Sequence, residues 1–234
     1  KHVFVEKPLA INEGDIKDII SSYTLSKNIS LNVGYNRRFS PHSIAVKNSI
    51  GLSPGPINII ANMNAGSLPS EHWANNKNIG GGRIVGEACH FIDLCIFFTG
   101  SLVKSICMSS ISSGNEDSIN NGSILLKFEN NSNAIINYFT NGSKLYSKER
   151  IELYSLERTW VIDNFQTTIG YGVKNFKKLK TKLDKGHSNQ FKDYVNFLSN
   201  GGKPFIPINE IINGTKASFA ALSSIKEKAW VEIT

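Results

Sequence analysis

The sequence predicts a mixed α/β protein in which a short strand–helix–strand unit precedes a large, open, mostly antiparallel sheet with helices on one face. Residues 2–5 and 30–34 are apolar runs on either side of an amphipathic stretch, which is typical of a βα unit with parallel strands. From Val103 the apolar residues alternate at period two, and Asn-rich and Gly-rich turns separate the runs. Apolar residues at helical spacing fill 80–98 and 189–198.

The start signals of the first two helices are clear. Asn12 can cap a helix that runs to about Lys27, and Ser40, followed by proline, can cap a helix that runs to about Ile50. A turn at 54–56 follows, and the boundary between a first unit at 1–35 and a second at 36–234 falls near Asn36. The other predicted strands are 57–65, 103–112, 122–129, 133–140, 149–155, 158–163 and 166–171, and the other predicted helices are 80–98, 189–198 and 208–230.

Composition excludes several classes of protein. The net charge is +7, but part of it is a lysine run at 174–185 without interleaved aromatic residues, so we expect a solvated loop or helix face and no nucleic-acid partner. Three cysteines without CxxC spacing indicate free thiols and no metal site. No apolar run reaches about 18 residues, so we expect a cytoplasmic protein without a membrane partner.

The stretch Gly80–Phe98 carries the densest chemistry. Three glycines open it, and Glu87, His90 and Asp93 then follow at spacings of three, which places them on one helical face. A carboxylate beside a histidine can orient the ring and tune its pKa for proton transfer. The alternative is an ordinary core histidine whose hydrogen-bonding needs Asp93 satisfies.

Polar residues also follow each of the first two strands. Lys7 comes at the end of the first strand, within Glu6-Lys7-Pro8, and Tyr35, Asn36 and Arg37 follow the second. Open α/β sheets bind ligands at the carboxyl ends of their strands, and arginine and asparagine suit anions or sugar hydroxyls. The alternatives are a surface lysine and salt bridges between domains.

Three sequence blocks together resemble one family. They are EKPLA at 6–10, GYNRRFSP at 34–41 and GGGRIVGEACHFIDL at 80–94, and a strand-rich region with two closing helices follows them. In this order they resemble the glucose–fructose oxidoreductase/inositol dehydrogenase/rhizopine (Gfo/Idh/MocA) family. The resemblance covers essentially the whole chain. It implies an N-terminal Rossmann domain that binds NAD or NADP, followed by an α/β domain with an open sheet.

The resemblance also implies roles for individual residues. Lys7 and His90 would be catalytic, with His90 as general acid/base and Lys7 stabilising the developing alkoxide. Asp93 would orient the histidine ring. The predicted cofactor-binding residues are Glu6, Lys7 and Pro8, and the predicted substrate-binding residues are Tyr35, Asn36, Arg37, Trp73, Arg83 and Glu87.

Two departures from the family pattern change these expectations. Many members have Asp four residues before the histidine, where this chain has Gly86; Glu87 could supply the carboxylate instead, or could bond Arg83. The glycine-rich loop that approaches the pyrophosphate is absent as well. We therefore expect that the chain is a fragment, with 1–35 the remnant of a Rossmann domain, and that it does not bind the dinucleotide well alone.

The favoured function is the substrate-domain part of a nicotinamide-dependent oxidoreductase. Such an enzyme would move a hydride between NAD(P) and a hydroxyl of a sugar, nucleotide sugar or polyol, and the fragment alone would be inactive. The alternative is a non-catalytic sugar-binding or oligomerisation module of the same fold. We also expect a homo-oligomer, at least a dimer, because one face of the sheet needs cover; Ile124, Leu126 and Phe128 on one face, or Ile135, Asn137 and Phe139 on the other, could supply it.

Overall fold

A computed structural model describes residues 1–26, 29–51, 55–111, 119–202 and 205–234. The predicted helix end at Lys27, the first residue of the turn at 54–56 and the strand end at 112 lie outside these residues. The helices are α1 (Glu13–Leu25), α2 (Pro41–Ile50), α3 (Lys77–Gly80), α4 (Cys89–Thr99), α5 (His187–Asn200) and α6 (Ile208–Glu227). The strands are β1 (Val3–Val5), β2 (Leu31–Val33), β3 (Asn58–Asn64), β4 (Val103–Ser110), β5 (Gly122–Phe128), β6 (Asn133–Phe139), β7 (Glu149–Ser155), β8 (Arg158–Asp163), β9 (Thr167–Tyr171), β10 (Lys178–Lys180) and β11 (Val231–Glu232).

Two sheets organise the described chain. Strands β1 and β2 pair in parallel, as the strand–helix–strand pattern predicts. The larger sheet has nine strands in the order β10-β9-β8-β7-β3-β6-β5-β4-β11, and its pairs are antiparallel except for the parallel pair of β3 and β6. The predicted fold class, with a large, mostly antiparallel sheet, is confirmed.

Most of the lysine run is loop, as predicted, but three of its residues form a strand. Part of it is the edge strand β10, in which Lys178 and Lys180 are exposed on either side of Leu179. Lysine on an edge strand discourages pairing with other chains, which accounts for its presence there.

The main core lies between one face of the large sheet and helices α4 and α6. Alternate residues of β5 point into it, including Ile124, Leu126 and Phe128, and nearly all of α4 is buried against them. In the described parts of the chain, no helix is both long enough and apolar enough to pass through a bilayer.

The predicted helix caps form as the side-chain chemistry requires. The Asn12 side chain accepts a hydrogen bond from the Asp15 backbone N–H, and the Ser40 hydroxyl accepts one from the His42 N–H. These bonds fix where the chain turns after β1 and β2, and therefore which residues lie at the carboxyl ends of those two strands.

The predicted helix over 80–98 is interrupted by a different geometry. Gly81 and Gly82 have positive φ, and Ile84–Ala88 form a π-helical turn before α4 begins. An added Cβ on Gly86 would lie 2.3 Å from the backbone oxygen of Gly80, so no side chain fits there. This contact explains why position 86 carries glycine.

Replacing Gly86 by alanine should therefore destabilise the fold by about 1–3 kcal/mol, because backbone must move to make room. Urea unfolding measures the change. The matched control is Gly214→Ala in α6, where the nearest atom to an added Cβ is the flexible Ile96 Cδ1 at 3.4 Å. We expect that control to be neutral or slightly stabilising, since alanine favours helix. Equal stability of both variants would contradict the steric account.

Candidate functional site

Lys7 lies just beyond the carboxyl end of β1, and two of its three ammonium N–H groups bind the π-helical turn. Its Nζ donates to the Gly86 carbonyl oxygen at 2.8 Å and to Glu87 Oε1 at 2.6 Å. Both side chains are mostly buried, 15% and 28% exposed. A π turn leaves a carbonyl without its regular helical partner, and here Lys7 takes that acceptor. Gly86 has no side chain, and the carboxylate that binds Lys7 belongs to the next residue, Glu87.

The predicted alternative for Glu87, a bond to Arg83, is not what the structure shows. Arg83 is 5% exposed, its Nε donates to the Tyr138 hydroxyl at 3.0 Å, and its guanidinium lies over the Tyr138 ring. Arg83 is therefore held against the sheet, and its substrate contact stays a prediction.

His90 is the second residue of α4 and is 6% exposed. Its Nδ1 is buried without a hydrogen-bond partner in the described chain, and the Tyr35 ring lies edge-on at 6.1 Å between centroids. Burial lowers the pKa of His90 well below its ordinary value, and the positive charges of Arg37, Lys7 and Lys185 lower it further. The imidazole is therefore neutral at neutral pH and can accept a proton.

Asp93 does not have its predicted role. It was expected to orient His90, but its carboxylate pairs with both sides of the Arg38 guanidinium at 2.7 Å. Arg38 also binds Glu210. Among the described residues no hydrogen bond joins Asp93 to His90. The Arg38 guanidinium gives this buried carboxylate a counter-charge and an Nε–H donor, which one imidazole N–H does not match, so the expected contact does not form.

Arg37 is fixed by a buried carboxylate from the sheet. Its Nε and Nη2 donate to Glu149 at 2.8 and 3.0 Å, and Lys185 pairs with the same carboxylate. Glu149 is completely buried. Burial would raise its pKa, but Arg37 and Lys185 outweigh that effect and lower it to about 2. Asn36 completes the arrangement by donating to the Lys185 carbonyl at 2.8 Å.

Several predicted site residues lie at the margin of this cluster. Tyr35 is buried beside His90, whereas Trp73 is 56% exposed and packs on Gly80. Glu6 is exposed, and its carboxylate lies where a side chain on residue 34 would be. No group of three or more His, Cys, Asp or Glu in the described residues is placed to hold a metal ion.

Sequence reasoning missed Glu149 and Lys185. Both are more than 100 residues from Arg37 along the chain, so no local spacing links them to it. One signal did exist for Glu149. Glu149 lies on the same buried face of β7 as Ile151 and Leu153. A carboxylate on a buried face needs a cation beside it, so a buried partner could have been expected.

Comparison with known proteins now identifies part of the chain. Residues 56–159 match the family model of the GFO/IDH/MocA C-terminal domain. This segment is similar to that domain. The match confirms the predicted resemblance.

Relatives and solved structures extend the likeness beyond this domain. An uncharacterized oxidoreductase, YrbE of Bacillus subtilis, is 25% identical over 75% of this chain, and the match spans about half (52%) of that relative's length. Myo-inositol 2-dehydrogenase of Thermotoga maritima is 22% identical over the whole chain, which covers 73% of it. Levoglucosan dehydrogenase in complex with NADH shares the fold with a TM-score of 0.85 at 17% identity, over the whole chain and 74% of that structure.

The contribution of Glu149 to the free energy of unfolding should depend on pH, and this dependence can be measured. Its folded pKa of about 2 lies below the ordinary 4.5, so its contribution is complete above about pH 4.5 and is lost as pH falls through about 2. Glu149→Gln should cost roughly 3–5 kcal/mol at pH 7, since Arg37 loses its buried partner. The cost should shrink as urea unfolding is repeated toward pH 3.

The control is Glu152→Gln on the other face of the same strand. Glu152 pairs with Arg150, whose side chain is 37% exposed. Such a pair contributes about 1 kcal/mol or less. A loss in Glu149→Gln no larger than in this control would contradict the buried-pair account.

Proposed function

We propose that this chain supplies the substrate-side groups of an oxidoreductase that moves a hydride between NAD(P) and a hydroxyl of a sugar, nucleotide sugar or polyol. The observation that carries the proposal is that an ammonium held by Glu87, that of Lys7, and a buried neutral imidazole, that of His90, follow each other across one π turn. The Lys7 ammonium is also one of the charges that act on the imidazole.

The relatives support the reaction class. One is a myo-inositol dehydrogenase, and levoglucosan dehydrogenase has the same fold and is described in complexes with NADH, levoglucosan and L-sorbose. These proteins act on or bind small polyhydroxylated molecules. The whole protein's cofactor and substrate follow from this likeness as proposals, because the chain spans only part of these proteins.

The residues at the end of β1 fit a nicotinamide group. Lys7, with Glu6 and Pro8 beside it, lies at the carboxyl end of a parallel strand, which is where such sheets bind cofactors. Lys7 is one of the charges that act on the His90 imidazole, which links this strand end to the proposed base. When bound, the nicotinamide ring supplies the acceptor for the hydride.

The chain's own residues would divide the work as follows. His90 takes the hydroxyl proton while the carbon-bound hydrogen leaves as hydride, and it returns the proton in the reverse direction. Lys7 stabilises negative charge that develops on the substrate oxygen, and Glu87 holds the ammonium in position. Arg37, held by Glu149, contributes a positive charge that favours the neutral imidazole. We propose that the chain alone, without a glycine-rich loop, binds the dinucleotide weakly.

Lys7→Met and His90→Asn should each lower kcat/KM of the full-length parent by about 10²–10⁴-fold, which is the range for loss of acid–base groups. Steady-state assays with NAD and NADP across a panel of sugars and polyols measure this. The control is Lys17→Met, an exposed residue of α1. Full activity in His90→Asn would refute the assignment, and a parent inactive with every substrate would favour the non-catalytic module.

We also propose that two copies associate through the open face of the large sheet. Leu125 is 42% exposed and Phe139 37% exposed on that face, with Ile135 paired to Leu125, whereas Ile124 and its neighbours are in the core. Light scattering should therefore give a dimer, and Leu125→Glu should yield monomers. The control Leu25→Glu alters an equally apolar but distant exposed residue and should stay dimeric. A monomeric wild type would contradict this proposal.

A further inference from the structure

Arg83 differs from the other buried arginines of the described chain because no carboxylate accompanies it. Arg37 and Arg38 each pair with at least one buried or half-buried acidic side chain. Arg83 is only 5% exposed, yet its Nε bonds a tyrosine hydroxyl and no ion pair among the described residues engages its guanidinium. Arginine is rarely buried so completely without a counter-charge, because a buried unpaired charge is costly.

Tyr138 holds Arg83 in place without neutralising it. The Arg83 Nε donates to the Tyr138 hydroxyl at 3.0 Å, and the guanidinium carbon lies 5.5 Å from the centre of the Tyr138 ring. The ring face offsets part of the positive charge. Burial raises the pKa of Tyr138, so its hydroxyl stays neutral and supplies no counter-ion. The two Nη atoms of Arg83 have no hydrogen-bond partner in the described ranges of the chain, and four N–H donors are left over.

Arg83 lines a cavity of about 130 Å³ whose charged walls are all positive. Lys77 and Lys226 line it too, and Lys226, near the end of α6, is exposed and without an ion pair in the part of the chain that the structure describes. None of the described residues around the cavity is acidic. Of the carboxylates nearest along the chain, Glu87 binds Lys7, and Glu227 lines a separate groove against α1.

The backbone at Gly82 forms another part of the cavity wall. Gly82 has φ +71°, and an added Cβ there would meet nothing within 4 Å, so a ligand can approach the main chain closely. Gly82 and Arg83 also begin the helical stretch that continues through the π turn into α4, and the first N–H groups of such a stretch lack intrahelical partners. Since a water molecule takes about 30 Å³ of liquid volume, the cavity has room for a small oxyanion.

We propose that this cavity binds an oxyanion, the phosphate or carboxylate group of a small molecule, with the Arg83 guanidinium as its main ligand. A planar guanidinium presents parallel N–H donors that match two oxygens of either group. Lys226 adds a second positive charge at the same cavity. The bound anion gives Arg83 the counter-charge that protein carboxylates give to Arg37 and Arg38.

Calorimetric titration of the 234-residue chain tests this directly. The probes are the sodium salts of phosphate and acetate, each compared with sodium chloride at equal ionic strength so that general screening is the same. We expect at least one probe to bind 10-fold or more tightly than chloride. The tighter of the two identifies the preferred group as phosphate or carboxylate. The same anion should raise the urea concentration needed to unfold the chain, because it binds only the folded state.

Variants locate the binding. Arg83→Met removes the charge from a side chain of similar length and should weaken the preferred anion about 10–100-fold, the range for lost hydrogen bonds to a charged group. Its unfolding in urea should no longer respond to the anion. Lys226→Gln should weaken binding about 3-fold, since an exposed charge contributes less. The matched control is Lys192→Gln, an exposed lysine of α5, which should bind like the wild type.

Affinities for phosphate and acetate no greater than for chloride would overturn the inference, and so would wild-type affinity in Arg83→Met. If Arg83→Met does not fold, Lys226→Gln decides, because its exposed side chain can be changed without disturbing the core. Unchanged affinity in that variant would then refute the site. None of these measurements involves turnover or a dinucleotide, so failure of the oxidoreductase proposal would leave the oxyanion site standing, and the reverse also holds.

Discussion

The bidentate pair of Arg37 and Glu149 is the interaction on which the site depends. It joins the segment after β2 to the first residue of β7, elements that are 112 residues apart in sequence and belong to different sheets. The adjacent Arg38 donates one hydrogen bond to Asp93 of α4 and one to Glu210 of α6. Two neighbouring arginines thus fasten the end of the small sheet to the large sheet on one side and to the helices on the other. Each buried guanidinium is tolerated only because its carboxylate is present.

Much of the fold follows from local patterns in the sequence. Period-two alternation gives the strands from β4 to β9, and the caps Asn12 and Ser40 give the starts of α1 and α2, because these signals depend on neighbours a few residues away. The parallel pairing of β3 with β6 and the short edge strands β10 and β11 did not follow. The edge strands have only three and two residues, which is too short for a recognisable alternation. The pairing of β3 with β6 joins residues far apart along the chain, and the alternation within each strand does not indicate its partner.

The site was predicted less completely, for the same reason. Lys7 and His90 could be proposed from the sequence because each lies in a short motif, and Glu87 because it is a helical neighbour of the histidine. Asp93 was assigned wrongly because helical spacing shows that a contact is possible and does not show which competing partner, here Arg38, is closer. The π turn that brings Glu87 to Lys7 is set by Gly86 meeting the Gly80 carbonyl, a contact that only coordinates reveal.

The electrostatics of the site bear on its proposed base. Burial lowers the pKa of His90, and the positive charges of Arg37, Lys7 and Lys185 lower it further. Each of these cations is held by a carboxylate: Glu87 pairs with Lys7, and Glu149 pairs with both Arg37 and Lys185. The same carboxylates therefore keep the cations in place around the ring. A buried ring beside fixed cations favours its neutral form, which is the form that accepts a proton.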